Sequence, residues 1–353
     1  MFRKVYPCRT THYDRIFSSM EKKLTSGFFD GFIDDIMRVF IFFLILQHDK
    51  IIGSVKKMEM NVKKLLVTGA GGFIGSRLVR EACAAGWDTA GLWHATRLPQ
   101  AFTGCTALPV DITDENAVAS LFEVFRPSVV VHCAAVAGIN ICADDKNRAA
   151  AVNMEGTRHI VNSATRAGAY FVYVSTDLVF DGKKGYYDEN DLPSPSCYYG
   201  ETKYAGELIT QSAGCRYAIA RIATVYGHDL ASSANFLYKL LERLRQNQTV
   251  ELFDDEYRSF VYVDDVCAKL LKLADCQVNG IFHIAGPERL STYSFGLRAA
   301  ACRGFDHAMI RPVSSSKSPV TANRPKDCSL SSEKTVIRLG GFQPVEKALS
   351  TNF

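Results

Sequence analysis

The chain has 353 residues, of which 47% are hydrophobic, 22% charged and 11% aromatic, ample for a large core or two domains and ordinary for a soluble globular protein. Its net charge of +4 is uneven: residues 1–64 hold 12 Lys/Arg against 7 Asp/Glu, so the rest carries a net −1, and a near-neutral body argues against nucleic acid as a partner. Eleven cysteines, an odd number with no C-x-x-C pair, and eight dispersed histidines fit a reducing cytoplasmic setting and give no metal-ligand spacing, so no metal is expected.

Residues 1–59 lack an amphipathic period and turn punctuation. Their apolar run at 39–46 is far shorter than the roughly 20 residues that span a bilayer. Asp34 and Asp35 precede it and no small-residue cleavage site follows, which argues against a signal peptide. Met58 and Met60 stand directly before Asn61-Val62-Lys63-Lys64, where a dinucleotide-binding chain would begin. The expectation is a misassigned start or a dispensable extension; a short membrane-surface anchor is the rival.

From Lys64 onward strands and helices alternate. Residues 64–68 read as a strand that runs into Thr68-Gly69-Ala70-Gly71-Gly72-Phe73-Ile74-Gly75, with a helix over 74–85 behind it. Glycines at 69, 72 and 75 allow a tight turn, a close approach to a pyrophosphate and close helix–strand packing, and the helix N-terminus suits an anion. Gly-rich turns are common, so the strand before and the helix after are what make this a dinucleotide-binding signal. A strand at 88–93, a short strand before Asp111 and a helix over 114–125, with Asp111 or Thr113 near its cap, follow. Residues 129–135 form an apolar strand of the kind found where both sheet faces are covered. A helix over 148–167, a strand over 170–175, a loop rich in Gly, Asp and Pro at 181–196 and a helix over 199–213 come next. Beyond Arg216 the pattern is mixed, with helices near 235–246 and 264–274 and strands near 250–253 and 281–284. The expected fold is α/β, a Rossmann-type doubly wound parallel sheet with a smaller C-terminal substrate-binding lobe. The expected domains are 60–222 for the dinucleotide and 223–353 for the lobe, with about 260–285 returning to the sheet.

Tyr199 and Lys203 stand one helical turn apart on one face. A phenol titrates near pH ~10 in water, and an adjacent ammonium favours the phenolate, so the pair can work as general acid or base in a carbonyl/alcohol interconversion. An ordinary surface pair is the plain alternative. Ser175-Thr176-Asp177 closes a strand at the edge where open α/β sheets bind ligands, so a hydroxyl there can bond a substrate carbonyl; a simple turn is the alternative.

These motifs together resemble the extended short-chain dehydrogenase/reductases, and within them the dTDP-4-dehydrorhamnose reductase family, over residues 64 to about 341. The likeness rests on the glycine loop, Asp111-Ile112, His132-Cys133-Ala134-Ala135, and Val152-Asn153-x-x-Gly156-Thr157. It continues through Ser175-Thr176-Asp177-Leu178-Val179-Phe180-Asp181-Gly182, Tyr199-Gly-x-Thr-Lys203, Asn235-Phe236 and Thr321-Ala322-Asn323-Arg324-Pro325. The resemblance implies Thr176, Tyr199 and Lys203 as catalytic residues. It implies Gly69, Gly72, Phe73, Ile74, Gly75, Asp111, Ile112, Ala134 and Ala135, with Tyr199 and Lys203, against the cofactor. Thr176, Asn235, Arg258 and Arg324 would hold the substrate.

Two departures bear on the reaction. Leu178 stands where these reductases carry Tyr and where the related dehydratases carry a Glu that acts in water elimination, which argues against dehydration. Arg258, within Tyr257-Arg258-Ser259-Phe260-Val261-Tyr262-Val263-Asp264, looks like the arginine that grips the diphosphate in nucleotide-sugar epimerases. The implied activity is reduction of the 4-keto group of a nucleotide-linked deoxysugar. An epimerase and a non-catalytic NADP-binding subunit resembling the methionine adenosyltransferase β subunit stay open. No acid lies between Asp88 and Asp111, whereas His94 and Arg97 do, which favours NADP(H) over NAD(H) with Arg97 on the 2′-phosphate. The expected partner is a small nucleotide sugar rather than a membrane, and a homodimer is left open.

Overall fold

The computed structural model describes residues 63–97, 104–227, 235–317 and 324–351, all within the compact unit Lys63–Phe353. The expectations on residues 1–59 and on 321–323 lie outside the described residues.

The apolar runs form the strands β1 (Lys64–Thr68), β2 (Asp88–Trp93), β3 (Cys105–Pro109), β4 (Val129–His132), β5 (Tyr170–Thr176), β6 (Tyr217–Ile222) and β7 (Gly280–Ile284). They make one parallel sheet in the order β7-β6-β5-β4-β1-β2-β3. Every residue of β4 and β5 is buried, because helices cover both faces. The strand order reverses between β1 and β4, and the crevice outside their C-terminal ends is where such sheets take ligands.

Helix α1 (Phe73–Ala84) starts directly behind the glycine loop. Helix α2 (Glu115–Phe125) is capped by Asp114, whose Oδ1 accepts the N–H groups of Asn116 and Ala117 at 3.0 Å. Asp111 and Thr113 lie just before this cap, as the sequence places them, and Asp111 Oδ1 accepts from the Thr113 N–H and hydroxyl. The single helix expected over 148–167 is interrupted. A short helix Lys146–Ala150 passes through a π-helical turn, Ala151–Gly156, into α3 (Thr157–Arg166). The strand expected to reach Ala135 ends at His132, and residues 133–136 turn outward to line the crevice. Helix α4 (Tyr198–Ser212) carries the Tyr/Lys pair.

Helix α5 (Phe236–Arg245) belongs to the C-terminal lobe, with short strand pairs and an aromatic cluster in which Phe260 and Phe295 stack at 4.0 Å. Helix α6 (Val263–Cys276) packs back on α1, and β7 adds to the sheet beside β6. No helix among the described residues is long and apolar enough to cross a membrane. Every cysteine among them is a free thiol.

Candidate active site

A groove of about 450 Å³ follows the crevice between the glycine loop, the ends of β2 and β3, and residues 133–136. Gly69 adopts φ +66°, and a Cβ there would come within 2.7 Å of the Ala134 nitrogen. Gly71, which the sequence pattern passed over, backs onto the chain after β2, where a Cβ would overlap the Thr96 carbonyl. Gly72 is the N-cap of α1 and no side chain caps that helix, so its first-turn N–H groups are left for an anion. Phe73 and Ile74 are half-buried against the core.

Asp111, Ile112, Ala134 and Ala135 line the groove. The Thr113 hydrogen bonds hold the Asp111 carboxyl below its ordinary range. Arg97 does not line the groove. Residues 94–96 turn into it, and the chain then carries the Arg97 guanidinium back over the Trp93 ring, 5.9 Å from its centre. Arg148, exposed on the opposite lip, lines it instead.

Beneath the groove runs a buried hydrogen-bonded chain. The Ala134 N–H donates to Thr68 Oγ1, which lies 2.7 Å from His132 Nδ1; His132 Nε2 lies 3.0 Å from Thr157 Oγ1, which donates to the Asn153 carbonyl. Burial lowers the His132 imidazole to about 3, so it is neutral. Because Thr157 spends its proton on Asn153, Nε2 must carry the imidazole hydrogen and Nδ1 must accept from Thr68. The Asn153 amide pairs with both backbone groups of Val136 and donates to Thr202 Oγ1, which donates to the Tyr199 carbonyl. The π-helical turn is what projects Asn153 into this network, a use typical of such turns at functional sites.

Thr176 ends β5, and its hydroxyl donates to Asp177 Oδ1 at 3.0 Å and accepts the Leu178 N–H. The expected tuning of Tyr199 by Lys203 is not what the structure holds. Burial, and then the Asp177 carboxylate, push the phenol above its ordinary range, and the nearby Thr176 hydroxyl opposes them. The Lys203 ammonium lies 4.1 Å from the centre of the Tyr173 ring, and burial lowers it to about 7. Desolvation thus outweighs the pair attraction that the i,i+4 spacing suggests. Cys133 lines the groove and lies near Lys203, while Thr176, Tyr199 and Lys203 do not line it themselves. Asp177 is raised to about 6, mainly by burial, and its Oδ2 has no hydrogen-bond partner among the described residues.

The residues expected to hold substrate divide. Arg324 lines a second cleft of about 630 Å³ with Asp181, Tyr257 and Arg289, and is paired to Glu256 at 2.8 Å. Asn235 caps α5 by accepting the Tyr238 N–H, and its buried Nδ2 is unpartnered among the described residues. Arg258 does not line that cleft. Its guanidinium is buried and donates to the carbonyls of Tyr257, Pro325 and Lys326. Arg258 therefore fastens the 324–328 segment to the lobe rather than presenting an open fork to a diphosphate.

A parallel sheet that reverses order over a glycine loop, with a Thr/Tyr/Lys set at its C-terminal edge, defines an extended short-chain dehydrogenase/reductase. The RmlD substrate binding domain family matches residues 63–350, and the chain belongs to that family. It is 31% identical over 289 residues to the dTDP-4-dehydrorhamnose reductase of Mycobacterium tuberculosis, covering 80% of this chain and 89% of that protein. It is 28% identical over 284 residues to methionine adenosyltransferase 2 subunit beta of Mus musculus, covering 78% and 83%. The crystal structure of a dTDP-4-dehydrorhamnose reductase from Bacillus anthracis in complex with NADP superposes with a TM-score of 0.73 at 24% identity, covering 82% and 97%.

Proposed function

We propose that the protein is an NADPH-dependent reductase of the 4-keto group of a nucleotide-linked deoxysugar. The observation that carries this reading is the placement of Thr176 at the end of β5 and of Tyr199 and Lys203 on α4, with Lys203 near Cys133, which lines the groove. The groove suits a dinucleotide: an uncapped helix N-terminus, a glycine cradle that a Cβ would fill, and Arg148 at its lip. Likeness to a Mycobacterium tuberculosis dTDP-4-dehydrorhamnose reductase and to a fold neighbour described with NADP supports it.

Reduced nicotinamide, when bound, supplies a hydride. In this reading Thr176 orients the substrate ketone oxygen, Tyr199 delivers a proton to it, and Lys203 holds the nicotinamide ribose. A phenol above its ordinary range holds its proton at neutral pH but is a weaker acid than a free phenol, so the transfer needs the charge of the bound cofactor and the developing alkoxide to draw the proton across.

A second reading, a cofactor-holding subunit without turnover, is favoured by the Lys203 ammonium resting on Tyr173 and by likeness to methionine adenosyltransferase 2 subunit beta. NADPH oxidation measured across nucleotide 4-keto sugars that vary in base and sugar separates the two. Turnover of at least one supports the reductase. Tight NADPH binding with no oxidation on any of them favours the subunit.

A further inference from the structure

Directly under the site lies a buried charged cluster that the chemistry above does not use. Glu207 and Arg221 are 0% and 2% exposed. Arg221 grips Glu207 with Nη2 at 2.8 Å from Oε2 and Nε at 3.0 Å from Oε1. Ser175, the residue before Thr176, donates its hydroxyl to the same Oε1 at 2.5 Å. The far side of Arg221 meets His283 Nε2 at 3.5 Å; burial lowers that imidazole to about 3, and its Nδ1 faces the Tyr187 carbonyl. The cluster thus joins β5, β6, β7 and α4. Because desolvation cancels much of the attraction, a buried ion pair adds little net stability, so its place under the site asks for another reason.

Glu207 sits one helical turn after Lys203 on α4. The groups of negative character that act on Lys203 are Cys133, Glu207 and Cys142. Cys133, from the chain after β4, is pushed up to about 12, and Cys142, from the helix Ile139–Asp144, is raised as well. Both are neutral thiols at physiological pH. Tyr173 on β5 and Tyr199 on α4 are raised, and His132 on β4 is lowered, so all three are neutral too. Glu207 is the one of these groups that carries a formal charge.

We propose that Glu207 is a positioning residue: clamped between Arg221 and Ser175, its carboxylate is the counter-charge that keeps Lys203 an ammonium in a dry site and locks the Thr176 strand end to the Tyr199–Lys203 helix. The role of Lys203 toward the cofactor rests on the reductase reading. The location of Glu207 beside it does not.

The test is the dissociation constant of NADPH, followed by its fluorescence from pH 5.5 to 9.5, together with thermal unfolding of each variant. In the wild type, affinity should weaken as pH climbs through the Lys203 midpoint. Glu207→Gln should move that midpoint down by about one pH unit, and Glu207→Asp, whose charge stands farther back, by less. Ser175→Ala loosens the same cluster without removing charge, so it should lower the unfolding temperature and leave the midpoint in place. Should Glu207→Gln not fold, Glu207→Asp still decides. Wild-type midpoints in the Glu207 variants that fold, or the same displacement in Ser175→Ala, would overturn the proposal. Turnover of nucleotide 4-keto sugars is scored separately on the wild type, so its absence counts against the reductase reading alone.

Discussion

The Lys203 ammonium stands 4.1 Å from the centre of the Tyr173 ring, although its sequence spacing points it at Tyr199. A ring face lies under the cation, while the Tyr199 phenol is governed by burial and by Asp177. Acid and cation are thus separately set, and their contributions should come apart in variants.

Tyr199→Phe removes the proton donor and leaves the groove lining intact. kcat should fall by about 10²–10⁴-fold, the usual contribution of a positioned acid, with NADPH affinity within about twofold of wild type. Stopped-flow loss of reduced-nicotinamide absorbance measures the first quantity and fluorescence titration the second. A near-normal rate would remove Tyr199 from the role of acid.

Lys203 sets a pH dependence of defined sign. Its amine is lowered to about 7 in the folded protein from 10.5, so between these values the unfolded chain binds the extra proton. The destabilisation from Lys203 is therefore full below about pH 7 and fades as pH rises toward 10.5. A bound polyanionic dinucleotide favours the ammonium, so NADPH binding near pH 8 should take up protons. Calorimetry in buffers of different ionisation enthalpy would detect the uptake, and Lys203→Met should abolish it. Equal uptake in wild type and variant would assign it to another group.

The parts of the molecule that local chemistry dictates were legible in the sequence. Strands covered on both faces must be apolar throughout, so β1 and β4 stand out. Only a residue without a Cβ fits at Gly69, so the loop declares itself. Tyr199 and Lys203 are related by helical geometry alone. What long-range packing decides could not be read. Arg258 looks like a free fork until the 324–328 segment crosses it and takes its donors. Arg97 looks like a phosphate ligand until Trp93 draws it aside. Gly71 is needed because of Thr96, a neighbour only in the folded chain. The π-helical turn coincides with the hydrogen bonds of Asn153 to the Val136 backbone, a long-range pairing that no periodicity reports.

The cation that selects the cofactor should be Arg148. It lines the groove with His94 and Thr96, whereas Arg97 lies over the indole. Losing a charge-assisted hydrogen bond of ~1.5 kcal/mol weakens binding about tenfold. Arg148→Ala should therefore raise the NADPH dissociation constant by roughly that factor and leave NADH binding almost unchanged, with Arg97→Ala close to wild type for both. Parallel titrations with the two cofactors measure the ratio; a tenfold loss confined to Arg97→Ala would return the role to that residue.

Asn153 offers the sharpest test of how the site is built. It is fully buried, and its amide makes three hydrogen bonds, two to the Val136 backbone and one to Thr202. Asn153→Ala strands the buried Val136 N–H and leaves the Val136 carbonyl only the weak Cys142 thiol donor, and a buried unsatisfied group costs ~1–3 kcal/mol. The loss should be about 2–4 kcal/mol in all, visible as a lower denaturant midpoint with unchanged slope. Val136 lines the groove, and Thr202 bonds the Tyr199 carbonyl, so the same change should weaken NADPH binding and slow turnover together. Asn153→Asp keeps the acceptor for the Val136 N–H but turns the Nδ2 donor into a second acceptor facing the Val136 carbonyl. It should be at least as destabilising as Asn153→Ala at pH 7 and recover in part as acid protonates the new carboxyl. Two variants of equal stability at every pH would mean that the Val136 backbone is satisfied some other way.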